Sequence, residues 1–216
     1  MADWEERARS AQARFEDGAV RLPDEADERQ RQLTRMGNAA WAAGLSLLTL
    51  GRREEAAEWL LRAAETYRES WPLAPPGSWG RPIGSLKSRL IAGDLAGAGE
   101  DARWALDAGA ASSDSPIGRY AAALASLVLG EDDVAAALTE TLVAETAIPA
   151  GVTASLAALA ARDAPAYEVA IRALVADFEG RAEYLEDIPV ADTVLALQAL
   201  ASERWIVVPL ESRVLP

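Results

Sequence analysis

The stretch Leu50-Gly51-Arg52-Arg53 ends one run rich in alanine and leucine and begins another, and two later stretches repeat this design. They are Ala92-Gly93-Asp94-Leu95 and Leu129-Gly130-Glu131-Asp132. Glycine commonly ends a helix because it takes the left-handed conformation without a steric penalty from a Cβ atom. The pattern therefore predicts stacked pairs of antiparallel helices.

The residues around these turns share a register. Five places after each turn glycine stands an alanine: Ala56, Ala98 and Ala135. A small residue is expected there because the two helices of a pair touch most closely near the turn. The turn glycines are 42 and 37 residues apart, close to the period of known helical repeats, about 34 to 47 residues.

The composition favours helices throughout. Half of the 216 residues are hydrophobic, and 48 alanines stand beside only 4 Tyr and 2 Phe. Alanine has the highest helix propensity. We expect an all-α fold of about ten helices, forming one repeat-like domain over residues 1–216. Only the C-terminal tail, at Trp205–Leu210, has a strand-like pattern.

The same composition excludes several classes of protein. The apolar runs are shorter than the roughly 18 residues that a membrane span needs, and the charged N-terminus does not resemble a signal peptide. The sequence has no Cys, so no disulfide or thiolate metal site is expected. These features predict a cytoplasmic protein that does not bind membranes.

Charge is unevenly distributed along the chain. Residues 131–216 hold 15 acids and 5 arginines, which is −10 of the total of −13. Phosphate binding needs clustered Lys and Arg, so nucleic acid is not an expected partner. A basic protein would be attracted to the acidic end. Adaptation of the host organism explains the same bias equally well, because lysine is almost absent beside 20 arginines.

Catalysis is not expected. The chain has no His and no Cys, so the usual general bases, nucleophiles and metal ligands are missing, and we expect no cofactor. Carboxylates do cluster late in the chain, at Glu183, Glu186, Asp187 and Asp192. Such groups can share a proton or hold Mg²⁺ or Ca²⁺, but no aspartate-rich ligand loop accompanies them. We interpret the cluster as a connector before the last helix, with the first three carboxylates as candidate binding residues.

A second candidate binding region is the Pro- and Gly-rich segment Trp71–Pro82. It contains Trp71, Trp79 and Arg81, and Lys87 follows it to form a local basic patch. Large aromatics and an arginine in a loop are typical of interface anchors. The alternative is that both tryptophans seal the junction between two helix pairs.

The register resembles the tetratricopeptide repeat. The first pair matches best, at Gly44, Gly51, Ala56, Leu60 and Ala63. The usual tyrosine of the first helix is replaced by Leu47, the closing proline is absent, and the later pairs match less well. The resemblance implies a right-handed superhelix with a concave groove.

The C-terminal third resembles the all-helical immunity proteins of bacterial polymorphic toxin systems, in particular immunity protein family forty-nine. The resemblance rests on Asp163–Tyr167, Val194–Ala201 and the closing Ser212–Pro216, within roughly the last 55 residues. It implies that the protein binds and neutralises a cognate toxin. An acidic C-terminal part would suit a basic toxin.

Three hypotheses about function remain from the sequence. The first is a non-catalytic protein-binding scaffold, either an immunity protein or a generic adaptor, acting as a monomer or homodimer. The second is a sensor of small molecules or peptides with a pocket lined by Trp71, Trp79, Arg81 and Lys87. The third is an enzyme that uses carboxylates such as Glu183 and Asp187.

Overall fold

The computed structural model of the protein describes residues 3–216 and contains ten α-helices over that range, with no β-strand in it. The helices are α1 (Trp4–Val20), α2 (Ala26–Thr49), α3 (Arg53–Ser70), α4 (Gly80–Ala92), α5 (Leu95–Asp107), α6 (Pro116–Leu129), α7 (Asp132–Glu140), α8 (Ala150–Ala160), α9 (Ala164–Glu179) and α10 (Asp192–Glu203). Three short 3₁₀ turns lie at Trp71–Leu73, Ala110–Ser112 and Leu185–Asp187. The predicted all-α class and helix number are confirmed.

The three glycine turns join helix pairs as the sequence predicts. Gly51, Gly93 and Gly130 have φ angles of 77°, 79° and 75°, in the left-handed region that glycine reaches without strain. The two helices of each pair pack closely next to the turn. The alanine five places after each turn glycine is fully buried in all three pairs. In the first pair, a Cβ atom on Gly44 would lie 2.7 Å from Leu60 Cγ.

The helices form two layers. The inner helices α4, α6, α8 and α10 form a ring in which each contacts two of the others, whereas α3, α5, α7 and α9 each contact the helices that precede and follow them in the chain. The last helix, α10, packs against α4 and α8, so this chain itself fills part of the inner face.

The predicted extent of the Trp71–Pro82 loop is wrong. Helix α4 begins at Gly80, so the end of the Trp71–Pro82 segment is helical and not loop. Proline is tolerated there because the first turn of a helix has no intrahelical partner for its N–H groups.

The tail after α10 is not part of a sheet. Ile206 and Val208 are buried while Val207 is exposed, an alternation that an extended chain produces. The tail is held by side chains and single backbone bonds instead of a partner strand: Gln198 Nε2 donates to the Val208 carbonyl at 2.8 Å. The predicted strand-like tail is thus an extended segment with alternating burial and no partner strand within residues 3–216.

The connector between α9 and α10 (residues 180–191) returns to the N-terminal helix. Arg14 forms an ion pair with Glu186, and Arg7 donates to the carbonyl of Asp187. Ile188 and Val190 belong to the same buried cluster as residues of α1 and α2. The two ends of the helical stack are therefore tied together.

This connector has an unusual backbone. Glu186 and Asp187 have φ angles of 54° and 57°, which cost residues other than glycine about 1–3 kcal/mol each. Such a conformation persists only where surrounding contacts enforce it. Here the contacts of Glu186 with Arg14 and of Asp187 with Arg7 enforce the backbone conformation of the connector.

A buried charge network joins α3, α4 and α5. The Asp101 side chain is 0% exposed and accepts hydrogen bonds from Arg68 Nη1, Arg89 Nε and Ser85 Oγ. Arg89 also pairs with Asp94, whose Oδ1 accepts from Gly97 N at 2.9 Å and caps α5. Burial of a carboxylate is tolerated when several donors satisfy it.

Over the described range, none of the helices combines the length and the apolarity that crossing a bilayer requires.

Candidate functional site

Two cavities lie side by side on the inner face of the stack. The first, here the tyrosine cavity, has a volume of about 350 Å³ and is lined by residues including Tyr120, Phe178 and Tyr184. The second, the arginine cavity, has a volume of about 430 Å³ and is lined by residues including Tyr67, Trp79 and Arg81. They share a wall, formed by Trp41, Ile83, Lys87, Ile117, Leu185 and Asp192.

An ion pair stands in the shared wall. Lys87 Nζ on α4 pairs with the Asp192 carboxylate at the start of α10 and donates to Thr193 Oγ1 at 3.2 Å. Burial is the largest single effect and would lower the pKa of Lys87, but the charge and hydrogen bond of Asp192, together with Tyr120, hold that pKa above its ordinary value. Lys87 therefore carries a proton at neutral pH, and its charge is matched by Asp192.

Arg81 has neutral partners only. Its Nε donates to Ser70 Oγ, and its Nη2 donates to Gln30 Oε1 and, at 3.0 Å, to Thr34 Oγ1. No carboxylate within residues 3–216 forms an ion pair with it. Burial lowers the pKa of Arg81 from its ordinary value, as expected for a cation that has lost water without gaining a counter-charge.

The two tryptophans of the predicted binding segment lie in different places. Trp79 is 6% exposed and lines the arginine cavity. Trp71 lies behind it, with ring centroids 5.3 Å apart, and contacts Trp104 edge to face at 5.7 Å. Trp71 instead lines an outer cleft with Arg68 and Trp104. This position fits the alternative interpretation, in which the tryptophan packs at the junction between two helix pairs.

The predicted acidic residues are also divided. Glu183 lines the tyrosine cavity, whereas Glu186 and Asp187 contact α1. Nowhere between residues 3 and 216 do three acidic side chains come together in an arrangement suited to a metal ion. Of the sequence candidates, the structure thus brings together Trp79, Arg81 and Lys87.

Two aromatic residues that line the cavities, Trp41 and Tyr67, were not predicted from the sequence. Trp41 is nearly buried, at 5% exposed. Tyr67 is also buried, and its Oη donates to Asn38 Oδ1 at 2.8 Å. Both lie in apolar helices, where an aromatic residue normally belongs to the core, so their positions gave no signal of a site.

Tyr67 is enclosed from two sides. Its ring lies against Gly37 of α2 and Gly84 of α4, where an added Cβ would be 2.7 and 2.8 Å from ring atoms. Burial, followed by the charges of Asp192 and Glu186, raises the pKa of its hydroxyl well above the ordinary value. Tyr67 therefore remains a neutral hydrogen-bond donor.

Several residues that line the cavities carry hydrogen-bond donors. Trp41 and Trp79 have indole N–H groups, and Tyr120 has a hydroxyl. Groups of these kinds can donate to an occupant of the adjacent space. Together with Arg81, these groups make the inner face rich in donors.

Comparisons with protein-family models, curated proteins and solved structures found no match to this chain. The two resemblances seen in the sequence stay predictions. What the fold and site define is an all-α protein with a pair of adjoining cavities on its inner face.

Proposed function

We propose that the protein is a non-catalytic binding protein whose inner face holds a small ligand. The observation that carries this proposal is the pair of adjoining cavities, about 350 and 430 Å³, which fall in the range of small-molecule sites. Their lining combines apolar walls with a few fixed polar groups, which is the usual composition of such sites.

The geometry favours a small ligand over a long peptide on this face. An open superhelix would offer a continuous groove to a helix or an extended segment. Here α10 packs against α4 and α8, and the connector residue Leu185 lines both cavities. The remaining space suits a compact molecule or the end of a chain.

A screen of small metabolites by thermal shift tests this proposal, with each hit repeated on two variants. Ile117→Trp adds bulk to the wall shared by both cavities and should abolish the shift. Val143→Trp is the matched control, because Val143 is exposed after α7 and lines neither cavity. Hits that survive in Ile117→Trp would disprove the site.

A second candidate function is binding of a protein partner through the C-terminal half, as an adaptor or as an immunity protein that neutralises a basic toxin. The observation that favours it is the coincidence of charge and exposed apolar side chains. Residues 131–216, which carry −10, also expose Trp205 (92%) and Val207 (83%). Exposed tryptophan is a frequent interface anchor.

Co-expression with a candidate toxin tests this second function. The expected results are rescue of growth, a stable complex, and an association rate that falls as salt rises, because long-range attraction to the acidic half is screened. Trp205→Ser should weaken the complex without altering the melting temperature. A complex that forms equally well with Trp205→Ser and at any salt concentration would place the interface elsewhere.

A further inference from the structure

The arginine cavity differs in charge from the rest of the molecule. Its charged lining residues are Arg81, Lys87 and Asp192. Because Lys87 and Asp192 neutralise each other, one positive charge remains, on Arg81. This charge lies inside a protein whose net charge is −13.

The Arg81 guanidinium is held rigidly with one nitrogen unused. Side chains of α2 and the last residue of α3 occupy Nε and Nη2, and no hydrogen bond of Nη1 is found within residues 3–216. A guanidinium fixed in this way loses little conformational entropy on binding an anion. The free Nη1 can donate a charge-assisted hydrogen bond, for which a carboxylate oxygen is a strong acceptor.

Two helix N-termini meet the same cavity. Residues Trp79 and Gly80 at the start of α4, and Ser115 and Ile117 at the start of α6, line it. Neither N-cap residue, Trp79 or Ser115, makes a side-chain capping bond. Helix N-termini carry a partial positive charge and free N–H groups, both of which stabilise anions.

The remaining lining adds donors and apolar surface. Tyr67 donates to Asn38 Oδ1, so the Asn38 side chain can present its amide N–H groups as donors, and Trp79, which lines the same cavity, has an indole N–H. The walls include Trp41, Ile83 and Ile117. A ligand that satisfies all of these groups has hydrogen-bond acceptors at one end and an apolar body at the other.

We propose that the arginine cavity binds the carboxylate of a small organic acid, with the carboxylate on Nη1 of Arg81 and an apolar or aromatic body against Trp41, Trp79 and Ile117. A single unmatched positive charge favours a monoanion over a phosphate dianion. This inference rests on the proposed function, since it assigns the ligand chemistry of the same inner face. A free acid and the C-terminal residue of a peptide share that chemistry.

Paired probes test the assignment. The free-acid pair is 3-phenylpropionate and 3-phenylpropionamide, and the peptide pair is Ala-Ala-Phe with a free and with an amidated C-terminus. Binding is followed by titration calorimetry and by the indole N–H signals of Trp41 and Trp79 in NMR spectra. At least one acid should bind ten or more times tighter than its amide, because a hydrogen bond to a charged partner is worth this much.

Variants locate the charge responsible. Arg81→Gln should remove the preference for the acid, and Arg81→Lys should keep part of it. Arg172→Gln, at an exposed arginine of α9, should bind like the wild type. Because Arg81→Gln removes anchors between α2, α3 and α4 and can lose its fold, the comparison of acid with amide in the wild-type protein is decisive by itself.

The outcomes separate the two proposals. Amides that shift the indole signals and bind as tightly as their acids would overturn the carboxylate assignment and leave the proposed function standing. Tighter binding of inorganic phosphate than of any acid would likewise overturn it. If no acid and no amide perturbs these signals, both the assignment and the small-ligand function are wrong. The member of the panel that binds tightest identifies a free acid or a peptide end as the source.

Discussion

Replacing Gly84 with alanine should destabilise the protein, although the same change normally stabilises a helix. The new Cβ would lie 2.8 Å from a ring atom of buried Tyr67, whose opposite edge is already in contact with Gly37. Overpacking of this kind costs about 1–3 kcal/mol, and the gain in helix propensity returns at most about 1 kcal/mol. We expect a net loss of about 1–2 kcal/mol.

The assay is urea and thermal unfolding followed by circular dichroism. For a chain of this size the loss corresponds to a fall in melting temperature of about 2–8 °C. Gly99→Ala is the matched control, because the nearest atom to its new Cβ is 4.0 Å away, and it should stabilise by about 0.5–1 kcal/mol. The double variant Gly37→Ala/Gly84→Ala should lose more than the sum of its parts, since the ring then has no direction in which to move. Equal stability changes for Gly84→Ala and Gly99→Ala would refute the enclosure of Tyr67.

Two further predictions concern charge. Asp101→Asn should cost about 3–5 kcal/mol in urea unfolding, because Arg68 and Arg89 lose a fully buried carboxylate. Arg162→Gln, at a largely exposed arginine, should change stability by less than about 1 kcal/mol, and similar losses for both variants would contradict the network. The capping bond from Gly97, followed by Arg89, lowers the pKa of Asp94 against the opposing effect of burial. Its charge therefore stabilises the fold at neutral pH, and this contribution disappears as the pH falls from about 4 through the lowered folded-state pKa. Asp94→Asn keeps a capping oxygen, so the wild type should exceed it in stability at pH 7 and match it near pH 2; a difference independent of pH would show that charge plays no part.

The helix pairs could be predicted from the sequence because their determinants are local. A left-handed glycine and an alanine five residues later act within one hairpin, and both leave a clear pattern at Gly51, Gly93 and Gly130. The start of α4 at Gly80 was missed because Gly80 and Pro82 give its first turn the composition of a loop, although a proline is tolerated there.

The site could be predicted only in part. Trp79, Arg81 and Lys87 were found because they are unusual in an Ala-rich chain and adjacent in sequence. Trp41 and Tyr67 were not, because a buried aromatic residue that lines a cavity has the same helical spacing as one in a core. The contacts of Glu186 and Asp187 with α1 join residues 172 and 180 positions apart, and no local pattern encodes them.

That long-range closure changes how the protein should unfold and how it tolerates truncation. In an open repeat array each unit contacts only its neighbours, so terminal units fray first and can be removed one at a time. Here Ile188 and Val190, in the connector before the last helix, are buried in one cluster with residues of α1 and α2. Deleting either end would expose apolar surface at the other, so the chain is expected to melt in a single cooperative transition and to resist being shortened hairpin by hairpin.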